Sequence, residues 1–152
     1  MNPLQTTFVF EIKAQLLDTV DMGEGVRGRR RIVPIEDGTV TGPRLEGRVL
    51  SGGADFQLLR GDGVTEIQAR YIIESADGAR IYVENSGLRY AEPDVLARLN
   101  AGQSVDPALV YFYATPKFEV SSPGYAWMER HIFVCRGARY PDAVRLQFFQ
   151  VA

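Results

Sequence analysis

The chain has 152 residues, 45% of them hydrophobic, which suffices for one well-filled core and falls short of two ordinary domains, so a single domain over residues 1–152 is expected. A formal net charge of −2 and a pI near 5.5 exclude the broad positive field that non-specific binding to nucleic acid or anionic membranes requires; Arg27, Arg29, Arg30 and Arg31 form the one basic cluster. A lone cysteine, Cys135, excludes an intrachain disulfide, and a lone histidine, His131, excludes a multi-histidine metal site. The N-terminal MNPLQTTFVFEIKAQLL lacks the basic start and continuous apolar core of a signal peptide. No run approaches the roughly 20 apolar residues that span a bilayer, and a reducing cytoplasm is the expected compartment.

Residues 6–17, TTFVFEIKAQLL, alternate at Phe8, Phe10 and Ile12 and predict a first half-buried strand. Next, Gly23, Gly25 and Gly28 are spaced through a loop that enters a short IVPI run and leaves at Asp37-Gly38, a pair with hairpin chemistry. The Gly23-x-Gly25-x-x-Gly28 spacing lacks the following helix that a dinucleotide fingerprint needs. Then comes GPRLEGRVLSGGADFQLLRGDG, residues 42–63, in which two strand-like runs flank Gly52-Gly53. Paired glycines inside a strand pattern mark a bulge, a sharp bend, or the close approach of another group, a ligand or a barrel corner being the two candidates.

Further along, VTEIQARYIIESADGARIYVENSG predicts a hairpin turning at Asp77-Gly78, with Tyr71 and Ile73 on one face and Arg70, Ile72 and Glu74 on the other. EPDVLARLNAGQ is the one short helix: Pro93 suits a first turn, Val95, Leu96 and Leu99 make an apolar stripe, and Gly102 suits the stop. LVYFYATPKFEV and YAWMERHIFVCRGAR are expected as two more strands separated by SSPG, and AVRLQFFQVA as the last. The total is eight to ten short strands with one helix and no βαβ rhythm. This is the pattern of a mainly β protein whose antiparallel sheet closes on itself, and about eight strands leave room inside for side chains or one small ligand.

The segments GRRRIVPI, GPRLEGRVLSGGADFQLLRGDG, ARYIIESADGARIYVENSGLR, YFYATPKFE and GYAWMERHIFV resemble those of the DUF3237 family, also called UPF0311, over nearly the whole chain. The resemblance implies a calycin or lipocalin-like barrel with a pocket at one end, and a homodimer. It implies no particular chemistry. Phe56 stands where that family commonly has tryptophan, and Met128-Glu129 where a leucine and an asparagine are common.

Three groups of residues carry candidate chemistry. Asp55 and Gln57, two apart on a strand, share a face; a carboxylate aimed into an apolar barrel has its pKa raised toward that of a useful acid or base, unless Asp55 is neutralised in an ion pair with Arg70 or Arg89. Tyr82, Asn85 and Arg89 leave a strand end, where they either reach a ligand's oxygens or form a solvated turn. The aromatic set that includes Tyr113 and Trp127, close in sequence to Arg130, is either core or the lining of a lumen that accepts a flat ring; Tyr71 is placed with the ligand-facing residues, while Cys135 reads as small core filling. The expectation is therefore a barrel that binds a small cyclic or aromatic oxygenated molecule. Its catalytic set is Asp55, Arg70 and Arg89; its ligand-binding set is Gln57, Tyr71, Tyr82, Asn85, Tyr113, Trp127 and Arg130. Acid–base chemistry of the isomerase, cyclase or lyase type is expected, with no organic cofactor and no metal required. A noncatalytic ligand carrier and a purely structural dimerisation module are the competing readings.

Overall fold

The computed structural model describes residues 1–152. Ten strands account for most of the chain: β1 Thr6–Leu16, β2 Val20–Gly25, β3 Gly28–Thr41, β4 Gly47–Val49, β5 Ala54–Leu59, β6 Thr65–Ser75, β7 Arg80–Ala91, β8 Val110–Val120, β9 Phe133–Arg139 and β10 Ala143–Val151. One helix, α1 (Pro93–Asn100), and a 3₁₀ turn at Pro107–Leu109 connect β7 to β8; a second 3₁₀ turn, Pro123–Glu129, connects β8 to β9. None of the helices is long and apolar enough to cross a membrane.

All strand pairings are antiparallel, and the sheet closes because β1 pairs with β10 on one side and β3 on the other. Eight positions make up the wall. Strands β4 and β5 share one of them: β4 lies against residues 38–40 of β3 and 73–75 of β6, and β5 against residues 29–34 and 65–70 of the same two strands. The break between them falls at Gly52-Gly53. Gly52 has φ +108°, open only to glycine at low cost, and a Cβ on Gly53 would lie 2.5 Å from both the Arg70 carbonyl oxygen and Tyr71 Cβ. What approaches Gly53 is β6, while Gly52 faces open space and supplies the turn, so the kink is a barrel corner.

Three local expectations are corrected. Tyr82, Asn85 and Arg89 do not leave a strand end: β7 runs unbroken to Ala91, paired with β8 from Ile81 onward. Asp37-Gly38 is no hairpin; β3 runs straight through it, and the turn lies at Val26-Arg27 between β2 and β3, within the stretch expected to be a loop. Glycine is needed at position 38 because β1 crosses there, so close that a Cβ would meet the Lys13 carbonyl at 2.6 Å. Likewise, YAWMER does not begin a strand. It folds into the 3₁₀ turn, which drives Met128 into the core and lays Trp127 against Phe133 at 5.8 Å, with the Arg44 guanidinium 3.7 Å above the indole. The hairpin at Asp77-Gly78 and the helix after Glu92 form as their sequences predict.

The barrel interior is divided lengthwise. One half is filled by rings: Phe10 stacks on Phe148 with centroids 4.4 Å apart, and Phe118 meets Phe133 edge-on at 5.1 Å. Ile12, Ile73, Ile81 and Val83 complete this packing, and each such side chain contributes about 1.5–3 kcal/mol by leaving water. The other half holds the polar side chains.

Candidate functional site

Strand parity brings the polar group together. On β6 the buried residues are Thr65, Ile67, Ala69, Tyr71, Ile73 and Ser75, every second one; on β7 the same alternation buries Ile81, Val83, Asn85 and Arg89. Asp55 and Gln57 face inward from β5, where they oppose Val33 and Arg31 of β3. A cavity of about 40 Å³ lies among Asp55, Gln57, Tyr71, Asn85, Arg89 and Arg139, walled by apolar residues that include Leu16, Val33, Phe112 and Val144. Leu16, Arg31, Arg139 and Val144 are only partly buried, so this end is the mouth.

Asp55 is pinned by two donors. Its Oδ2 accepts from Gln57 Nε2 at 2.7 Å, and its Oδ1 accepts from the Gln68 backbone N–H at 2.9 Å. The β5–β6 ladder explains the second bond, since pairing lapses between Asp55–Ala69 and Leu58–Glu66 and leaves that amide for the side chain. Gln57 is held in turn by Arg31, whose Nε donates to Gln57 Oε1 at 2.9 Å. The amide orientation of Gln57 is thereby fixed, with its oxygen toward the guanidinium and its nitrogen toward the carboxylate. No guanidinium comes within 4.0 Å of the carboxylate, for the chain's ion pairs all lie elsewhere.

Burial pushes the Asp55 carboxyl above the usual carboxylate range, against the opposing pull of the Gln57 and Gln68 hydrogen bonds and of the more distant Arg89 and Arg139 charges. Arg89 is 1% exposed and its pKa falls to about 10, chiefly through burial and then through repulsion by Arg31 and Arg139, with Asp55 offsetting part. Burial raises the Tyr71 hydroxyl, which stays a neutral donor, and raises the Cys135 thiol to about 12. Three buried polar atoms here have no protein partner: Tyr71 Oη, Asn85 Oδ1 and Arg89 Nε. Buried polar groups are normally paired, and three orphans around one cavity are a concentration of unmet hydrogen-bonding capacity.

Of the residues singled out in the sequence, Asp55, Gln57, Tyr71, Asn85 and Arg89 therefore converge. The others lie elsewhere. Arg70 is on the outer face, exposed and 4.0 Å from Glu84, and Tyr82 on that same face donates to Glu84 at 2.8 Å. Tyr113 is 42% exposed on the outer wall, its ring tilted against that of Tyr111, because the inward residues of β8 are Phe112 and Ala114. Trp127 sits on the 3₁₀ turn beside the ring-filled half, and Arg130 follows it in an exposed position. His131 is exposed, with Nδ1 2.8 Å from the Trp127 carbonyl. Two further arginines turn inward, Arg31 of the basic cluster and Arg139, neither of them among the expected site residues. The available signal was parity: Arg31 alternates with Val33 and Ile35, and Arg139 with Cys135 and Phe133. No group of three or more His, Cys, Asp or Glu side chains converges anywhere in the chain.

A closed eight-position antiparallel barrel, packed with rings in one half and with a cluster of polar side chains beside a small cavity in the other, defines a β-barrel protein with a small internal cavity. Residues 4–151 match the model of the family described as "Protein of unknown function (DUF3237)", and the chain belongs to that family. A UPF0311 protein from Rhodopseudomonas palustris (strain TIE-1) is 43% identical over 152 residues, covering 99% of each chain. The crystal structure of a conserved protein of unknown function from Rhodopseudomonas palustris superposes with a TM-score of 0.95 at 40% identity, over the full length of both chains. An enzyme from Penicillium herquei shares the fold, with a TM-score of 0.74 at 19% identity over all of this chain and 97% of its own.

Proposed function

We propose that this protein binds a small cyclic or aromatic oxygenated metabolite in the polar half of its barrel and performs cofactor-independent acid–base chemistry on it, of the isomerase, cyclase or lyase type. The observation that carries this reading is Asp55: a carboxylate beside a cavity, fixed by two hydrogen bonds, held above its ordinary pKa and joined to no cation. Burial makes a group so placed a stronger base than an ordinary aspartate, whereas an ion-paired strut is a weaker one. Positioned as it is, Asp55 removes a proton from carbon next to a carbonyl, or delivers one to a double bond. Arg89 and Arg139 offset the negative charge that develops on the substrate oxygen, and the neutral Tyr71 hydroxyl donates to it. The sharing of this fold with an enzyme from Penicillium herquei is consistent with catalysis and says nothing of the reaction here. A noncatalytic carrier would be favoured by an apolar lumen with a neutralised acid, and the unpaired Asp55 beside a cavity that opens at the barrel mouth supports the enzyme instead.

The test is solvent deuterium exchange, followed by NMR, at the α-carbon of a panel of small cyclic and aryl ketones. Wild-type protein is expected to accelerate exchange in at least one of them, and Asp55→Asn to lose about 10²-fold or more of that rate. An Asp55→Asn protein that exchanges as fast as wild type removes the acid–base role.

A further inference from the structure

The lumen is charged out of balance. Arg31, Arg89 and Arg139 turn inward at the polar end, while the inward carboxylate there is Asp55 alone. The other acids that touch this field are spoken for or outside it: Asp21 binds Arg29 at 2.8 Å, and Asp142 is exposed beyond the mouth. Arg89 is fully enclosed, takes part in no ion pair, and leaves Nε without an acceptor; the Tyr71 hydroxyl next to the same cavity also lacks one. A buried guanidinium without an anion is expensive, and a fold keeps such an arrangement when something else completes it.

We propose that the ligand of this lumen is an organic oxyanion, a carboxylate or a ring enolate, whose charged oxygens enter the 40 Å³ cavity and accept from Arg89, Arg139 and Tyr71 while its ring rests at the mouth against Leu16 and Val144. The inference rests on the functional reading above and names its substrate class. A cavity of this size takes a two-oxygen head group and no more, so the remainder of the molecule must lie outward. Planar guanidinium groups match planar oxyanions in two-point hydrogen bonds, and their excess over Asp55 supplies the counter-charge. Gln57 links Arg31 to Asp55, which keeps the acid from turning away to pair with the arginines when the anion is absent.

Matched isosteres test this in the full-length protein. Acetate against acetamide, and benzoate against benzamide, are titrated at pH 7 and low ionic strength, with the side-chain amide NMR signals of Gln57 and Asn85 as readout. Each anion is expected to bind at least about tenfold more tightly than its amide. Arg139→Gln, at the partly buried mouth, is expected to cost the anion about tenfold or more and the amide little. Asp55→Asn, which leaves the lumen more positive, is expected to hold the anion as well as wild type or better. Equal affinity for anion and amide, an unaffected Arg139→Gln variant, or weaker anion binding by Asp55→Asn would each overturn the proposal. Ketone exchange without anion preference refutes the oxyanion alone; anion binding with undiminished exchange in Asp55→Asn refutes the acid–base reading alone.

Discussion

Replacing Arg89 with methionine is expected to make the unliganded protein more stable. A fall from 12.5 to about 10 in the arginine's pKa means that folding disfavours the charged form by about 3 kcal/mol, at roughly 1.4 kcal/mol per tenfold change in proton affinity. The charged form predominates at every pH below about 10. The whole penalty is therefore present at pH 7 and disappears only as pH rises from about 10 toward 12.5. Methionine fills a similar volume without the charge, and the Arg89 Nε has no hydrogen-bond partner to lose. Asp55 loses one attraction, which reduces the gain. The net expectation is about 1–2 kcal/mol, or roughly 3–6 °C in Tm for a chain of this length. Urea unfolding at pH 7, followed through the fluorescence of Trp127, measures it. An Arg89→Met protein less stable than wild type by 1 kcal/mol or more would refute the reasoning, because Arg89 would then be a structural brace and not a charge held for a ligand.

Other outcomes follow from the barrel geometry. Gly53→Ala is expected to destabilise by about 2–4 kcal/mol in the same assay, because the added Cβ meets the β6 backbone at 2.5 Å, whereas Gly124→Ala, with open space around it, stays within about 0.5 kcal/mol. Phe148→Ala removes a fully buried ring stacked on Phe10 and should cost about 3–5 kcal/mol. Arg44→Ala takes the guanidinium off the Trp127 ring, with an expected loss of about 0.5–1 kcal/mol and a change in Trp127 emission.

The parts of this fold written in local chemistry were legible beforehand. Asp77-Gly78 turns because both residues favour the turn itself, with Gly78 at φ +88°, and Pro93 and Gly102 bound the helix for similar reasons. Asp37-Gly38 has the same letters and a different cause. Its glycine answers to β1 passing overhead, a tertiary demand that no neighbouring residue announces. Period-two alternation placed Asp55 and Gln57 together, and did not say which face of a strand looks inward. On β8 both faces carry aromatics, so Tyr113 and Phe112 were indistinguishable until the neighbouring strands fixed the register. The inward placement of Arg31 and Arg139 is not legible in the sequence, because arginine on a strand ordinarily faces water and only barrel closure turns these two inward. Arg70 went the other way, its parity with Ile72 and Glu74 placing it outside beside Glu84.

Asp55 itself offers the most direct test. Its carboxyl carbon, followed by ¹³C NMR through a pH titration of the unliganded protein and assigned by comparison with Asp55→Asn, reports whether the lumen keeps this acid poised or neutralised. The account predicts a midpoint above the ordinary aspartate value of about 3.9, since burial outweighs the Gln57, Gln68 and arginine contributions that favour the anion. Because the folded value is then the higher one, Asp55 contributes stability below pH 4 that is lost as pH rises through its midpoint, the reverse of an ion-paired carboxylate. A midpoint at or below 3.9 would contradict the account and make Asp55 the counter-ion of Arg89 and Arg139.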